Sequence, residues 1–175
     1  EFEALTAAVA RHEPVRLIAH PQRKPPNPTI AASPGVTIDH LVTNDCWARD
    51  ISPLFVDEDD TEIAVDLRFN SWGAKLKPYD DDAAFAQRLA KSLGLQAIQA
   101  DFVSEGGAIE VDGEGTALVV EPSILNPNRN PTLTRADIEH SLHELLGVSA
   151  VIWLPHGLVD DTDTDGHVDN VARFV

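Results

Sequence analysis

Residues 134–170 read TRADIEHSLHELLGVSAVIWLPHGLVDDTDTDGHVDN, and the order of features inside them decides the fold. Thr134 followed by Asp137 is a capping-box pattern, so a helix opens here, runs to Leu146 and is ended by Gly147. The apolar run at 150–154 then predicts a buried strand, which heads towards an acidic stretch ending in DGHVDN. Helix, strand, acidic motif is therefore one unit.

Working outward, the same order recurs twice. Asp80, Asp81 and Asp82 supply caps for a helix over about 83–93, closed by Gly94. A strand over 95–103 follows and runs into SEGG at 104–107. Nearer the start, Phe2, Leu5 and Val9 have helical spacing over 2–11, and 15–19 reads as a short buried strand. Residues 21–34 are rich in Pro and polar side chains and predict a loop. Another strand, 36–42, then leads into TNDCWARD at 43–50. Hairpin-like pairs lie between the units: 54–56 with 63–69 across DEDD, and 108–111 with 117–120 across DGEG. Helices alternating with strands place the chain in the α/β class. Three loosely similar units, each ending in an acidic motif, predict a radial repeat whose strand ends converge.

Composition sets the outer bounds. A length of 175 residues suits one domain with a real core. Hydrophobic content of 43% and charged content of 24% are those of a soluble globular protein. No apolar run approaches the ~20 residues a membrane helix needs, and the N-terminus lacks the basic region of a signal peptide. Thirteen basic against twenty-nine acidic side chains give a formal charge of −16. Such a field repels nucleic acid and anionic membranes and favours cationic ligands. A single cysteine rules out an intramolecular disulfide and fits a reducing cytoplasm. The chain has no Met, even at position 1, which points to a fragment or a processed product.

Four stretches carry candidate chemistry: WARD (47–50), EGG (105–107), NPNRNP (126–131) and DGHVDN (165–170). His167 and Asp169 are two apart, so on a strand an imidazole and a carboxylate share one face. Alone, that pair reads first as a solvated polar turn, in which Asp and His cap backbone groups. Glu105 stands before two glycines, which clear side chains from around its carboxylate; alone, the stretch is an ordinary turn. Asp50 follows Trp47 and Arg49, and a carboxylate beside an indole can grip a planar cation. Arg49 and Asp50 can instead be paired neighbours, with Trp47 in the core. Together, these motifs bring three carboxylates and one general acid/base to equivalent strand ends, where the carboxylates would repel one another unless a cation joined them. A guanidinium is planar, always charged and matched to bidentate carboxylates.

Five ordered motifs, WARD, FNSWGAK, EGGAIEVDGEGT, LNPNRNP and TDGHVDNVARF, resemble the agmatine deiminase and bacterial-type peptidylarginine deiminase family of the pentein superfamily. The resemblance covers roughly residues 36–175. It implies a five-bladed α/β propeller, of which this chain supplies about three blades. It further implies that a substrate guanidinium sits between Asp50 and Asp169, that His167 and Glu105 are catalytic, and that Trp47 lines the substrate channel. The implied reaction converts agmatine to N-carbamoylputrescine and ammonia through a covalent cysteine intermediate, without a cofactor or a metal. The resemblance also implies that the family's cysteine belongs to a C-terminal segment beyond Val175, and it leads us to expect a further N-terminal segment as well. Cys46 sits in the first motif and reads as structural, so the chain alone is expected to be inactive. The expected partner is a small cationic guanidino substrate; a homo-oligomer is left open. Alternatives are a peptidyl-arginine deiminase, a non-catalytic guanidinium-binding module, or a calcium-binding one. For calcium, Asp161, Asp163, Asp165 and Gly166 match the opening of an EF-hand, but the twelfth position is Ala172 where a Glu is required.

Overall fold

A computed structural model describes residues 2–175. The chain divides into two compact units, Glu1–Thr43 and Asn44–Val175. In the first, a helix at Phe2–Val9 precedes two parallel strands, β1 (Val15–Ala19) and β2 (Val36–His40), paired in register from Val15 opposite Val36 to Ala19 opposite His40. The stretch expected to be loop holds one helical turn, Pro28–Ala31. Asn27 caps it by accepting from the Thr29 amide at 2.9 Å, and Pro28 starts it with a preset φ.

The second unit contains one arrangement twice. β3 (Leu54–Glu58) and β4 (Thr61–Asp66) form an antiparallel hairpin, and β5 (Gln96–Gln99) adds parallel to β4. β6 (Ile109–Val111) and β7 (Thr116–Val120) form the next hairpin, and β8 (Ala150–Leu154) adds parallel to β7. The registers correspond: Val65 faces Leu54 and Ile98, as Val119 faces Ile109 and Trp153. A parallel neighbour needs a crossover, which the helices Phe85–Leu93 and Arg135–Leu146 provide.

Both helices end as the sequence predicts. Thr134 and Asp137 form a capping box, and Gly147 closes the helix at φ 65°. The acidic run before the other helix folds as its own turn, Asp80–Ala83, and the helix proper starts at Phe85. One hydrophobic core joins the two sheets of this unit. Val65 of β4, Ile109 and Val119 of β6 and β7, and Phe102 pack with Ile138 and Leu142 of the helix. Full burial of each such side chain stabilises by about 1.5–3 kcal/mol. Three single turns then carry the motifs: Ala48–Ile51, Gly106–Ala108 after β5, and Val168–Asn170 after β8. No described helix is long and apolar enough to cross a membrane.

Candidate active site

The two glycines of the EGG motif each make room for something specific. A Cβ on Gly106 would lie 2.1 Å from the Arg49 carbonyl oxygen, so this position brings the WARD turn against the second motif. A Cβ on Gly107 would lie 2.7 Å from each of Asp50 Oδ1, His167 Nδ1 and Asp169 Oδ2. Three side chains from two distant motifs therefore meet over one bare Cα. Gly107 also donates its N–H to Asp50 Oδ1 at 3.1 Å.

His167 and Asp169 are not on a strand. His167 caps the short turn Val168–Asn170 and Asp169 lies within it. They still reach one space, because that turn folds them towards the same glycine. His167 is buried, while Asp169 and Trp47 are exposed. The imidazole stands between carboxylates, with Nε2 3.2 Å from Glu105 Oε2 and Nδ1 3.6 Å from Asp50 Oδ1. Burial pushes the Asp50 carboxyl above the ordinary carboxylate range. His167, the Trp72 indole and the Gly107 amide pull it down, without cancelling that effect.

Two residues of the site have no individual role in the sequence reading. Trp72, from FNSWGAK, donates Nε1 to Asp50 Oδ2 at 3.0 Å and stacks edge-on against Phe69 and Trp47. Its backbone lies at φ 53°, between Ser71 at 61° and Ala74 at 60°. Bulky residues avoid that region, and strain of this kind gathers at functional sites. Arg129, from NPNRNP, donates Nε to both oxygens of Glu105 at 2.9 Å. Both side chains are fully buried, so the pair is mutually neutralising. A lone Arg in a Pro- and Asn-rich loop is all that the sequence shows of it.

Around these groups lies a cavity of about 560 Å³, whose walls include Trp47, Trp72, Asp50, His167 and Asp169. Asp163 also lines it, and among the described residues its carboxylate has no hydrogen-bonding or ion-pairing partner. Cys46 is outside the lining. It is exposed rather than packed in a core, and partial burial with the neighbouring Asp45 pushes its thiol up, away from the reactive thiolate.

The three carboxylates of the calcium-like loop diverge. Asp161 turns back on its own loop, accepting from the amide and hydroxyl of Thr164. Burial raises its carboxyl, and the bonds from Thr164 more than reverse this. Asp165 points instead towards Lys75, Arg129 and Asn128. No cluster of three or more His, Cys, Asp or Glu side chains suited to a metal occurs among the described residues.

Asp50, His167 and Asp169 thus meet around Gly107, and Glu105 reaches the same imidazole from its other side. All 175 residues match the profile of the Porphyromonas-type peptidyl-arginine deiminases. The chain belongs to that family. Its sequence is 39% identical over 180 residues to agmatine deiminase of Stutzerimonas stutzeri, covering 99% of this chain and 49% of the relative. Agmatine deiminase of Pseudomonas aeruginosa is 38% identical with the same coverage. Among solved structures, agmatine deiminase of Enterococcus faecalis superimposes with a TM-score of 0.89 at 33% identity, over 99% of this chain and 48% of that one. Agmatine deiminase of C. jejuni gives 0.81 at 30% identity, over 99% of this chain and 51% of that one. The chain thus spans about half the length of the curated relatives it matches. The fold is that of part of a pentein-type α/β propeller, and the three sheets among the described residues represent about three blades.

Proposed function

We propose that this chain supplies the guanidinium-binding and proton-handling part of a deiminase that hydrolyses agmatine to N-carbamoylputrescine and ammonia. The observation that carries the reading is the ring of Asp50, His167 and Asp169 about Gly107. Two carboxylates there suit the two edges of a planar guanidinium, which would offset the burial that holds the Asp50 carboxyl high. Trp47 and Trp72 offer apolar faces for the alkyl chain and for a delocalised cation.

The chemistry needs a thiolate from outside these 175 residues, since Cys46 is exposed and outside the cavity. That thiolate adds to the guanidinium carbon. His167 protonates the departing nitrogen, which leaves as ammonia and gives a covalent amidino-thioether. The same imidazole then takes a proton from water as its oxygen adds to that carbon. Collapse expels the thiolate and leaves the ureido product. Glu105, held by Arg129, orients the imidazole through Nε2 and leaves Nδ1 towards Asp50 and the substrate.

Agmatine is favoured over a peptidyl arginine by Asp163. Its exposed side chain lines the cavity beside the Lys75 ammonium and has a carboxyl free to pair with the ammonium at the far end of agmatine. A peptide backbone offers no such charge. The test is a ureido-product assay on the polypeptide of the complete reading frame, comparing agmatine with an arginyl peptide. Product from agmatine alone is expected. Product from neither, with folded protein, rejects the reading; product mainly from the peptide reassigns the substrate.

A further inference from the structure

The loop that resembles a calcium site already holds a cation. Lys75 Nζ donates to the Thr162 carbonyl at 2.8 Å and the Asp163 carbonyl at 3.0 Å, and it lies 2.7 Å from Asp165 Oδ2. Three oxygens of one loop thus match the three N–H donors of one ammonium. We propose that Lys75 is the resident cation of this loop and a positioning residue for His167, a role that rests on the proton-handling assignment of His167.

Two paths connect the ammonium to the imidazole. The first runs through charge. Asp165 Oδ2 receives Lys75 on one side and Arg129 Nη1, at 2.6 Å, on the other. Arg129 passes on to Glu105 through Nε, and Glu105 meets His167 Nε2. Signs alternate along the whole chain: Lys75 positive, Asp165 negative, Arg129 positive, Glu105 negative, then the imidazole. Opposite charges this close, with Arg129 and Glu105 excluded from water, hold one another in one arrangement. Asn128 adds a donor to the same Asp165 oxygen at 3.0 Å.

The second path runs through the backbone. Thr164 follows the two carbonyls that Lys75 holds. Its hydroxyl accepts from the His167 amide at 3.0 Å, and its own amide is held by Asp161 Oδ1 at 2.9 Å. Its carbonyl accepts from Arg129 Nη2 at 3.1 Å and from the Ser123 hydroxyl at 3.3 Å. Fixing residues 162 and 163 therefore fixes the residue that anchors His167.

Lys75 comes from the strained segment that also sends Trp72 to Asp50. That segment is pinned at its start, where Asn70 accepts from the Gly73 amide at 2.8 Å and donates to the Asn128 carbonyl at 3.1 Å. Residues 70–75 so act on both sides of the cavity at once: Trp72 sets one carboxylate and Lys75 sets the loop ahead of the histidine.

The test is residue-resolved amide hydrogen exchange on the polypeptide of the complete reading frame, with the imidazole nitrogens of His167 followed by NMR. It needs neither catalysis nor substrate, so its outcome is independent of the product assay. In Lys75→Met, the Thr164 and His167 amides should exchange at least tenfold faster and the His167 Nε2 resonance should move, while amides of β6, β7 and β8 keep wild-type protection. In Lys75→Ala, added propylammonium should restore slow exchange at both amides, and propanol of the same size should not. Unchanged exchange at Thr164 and His167 in Lys75→Met overturns the proposal. So does a loss of protection shared with β6–β8, which assigns Lys75 to general stability, or equal rescue by propanol, which shows that charge is not what the loop holds.

Discussion

Arg129 grips Glu105 with one nitrogen on both carboxylate oxygens, at 2.9 Å each, where neither side chain touches water. Removing one partner of such a pair leaves a buried charge uncompensated and typically costs about 3–5 kcal/mol. Arg129→Met is therefore expected to lower the unfolding free energy by that amount, read from urea denaturation. Arg129→Lys should recover little, because an ammonium cannot reproduce the fork that also reaches Asp165, Asn128 and the Thr164 carbonyl. A wild-type midpoint in Arg129→Met would contradict the reading of Glu105 as an ion held by this residue.

The paired glycines should fail in different ways. In Gly106→Ala the new methyl meets a backbone carbonyl at 2.1 Å, so the WARD turn must move and the fold should lose about 1–3 kcal/mol. In Gly107→Ala the methyl meets only side-chain ends, which can yield by leaving the site. Agmatine affinity of the chain should then fall at least ~10-fold with a smaller change in stability. Calorimetric titration beside urea melts separates the two. Wild-type agmatine binding by Gly107→Ala would remove the basis of the site.

Trp72→Phe keeps an aromatic face but takes away the N–H that steadies Asp50 Oδ2. The Asp50 carboxyl should rise further, since that hydrogen bond is one of the influences holding it down. Hydrogen bonds to charged groups contribute about 1.5–3 kcal/mol, so agmatine binding near neutral pH should weaken by roughly 10-fold or more. Titration at two pH values checks this, because the deficit should shrink as pH rises and Asp50 ionises.

Much of this molecule is legible in its sequence because local chemistry dictates it. The helix opened by Thr134 and Asp137 and closed by Gly147 is fixed by its own caps, and β1 and β8 by short apolar runs between breakers. The meeting of Asp50, Glu105, His167 and Asp169 follows from a repeat that puts acidic motifs after equivalent strands. What sequence could not supply is the direction of side chains on irregular backbone. His167 and Asp169 share a space through a one-turn helix and not through strand alternation. Trp72 reaches Asp50 only because its backbone adopts a conformation that a tryptophan disfavours. Arg129 and Lys75 act through pairings with Glu105 and Asp165 that lie 24 and 90 positions apart, and no local pattern announces such contacts.

The raised carboxyl of Asp50 makes binding and stability depend on pH in opposite senses. A guanidinium needs the ionised carboxylate, so agmatine affinity should be greatest above the Asp50 value and fall as pH drops through it. The loss should begin at a higher pH than an ordinary carboxylate would give. For stability, a carboxyl whose folded value is raised contributes fully below its unfolded value, and that contribution is lost as pH rises through the folded value. Ionised and unliganded, Asp50 therefore costs the fold something near neutrality. Asp50→Asn removes the charge and keeps an oxygen to accept from Gly107 or Trp72. It should be no less stable than wild type at neutral pH, with any advantage vanishing in acid, while agmatine affinity drops ~30-fold or more. Urea midpoints and calorimetric titrations across the acid-to-neutral range measure both. An Asp50→Asn chain that is markedly less stable at neutral pH and still binds agmatine would assign this carboxylate to the scaffold and not to the substrate.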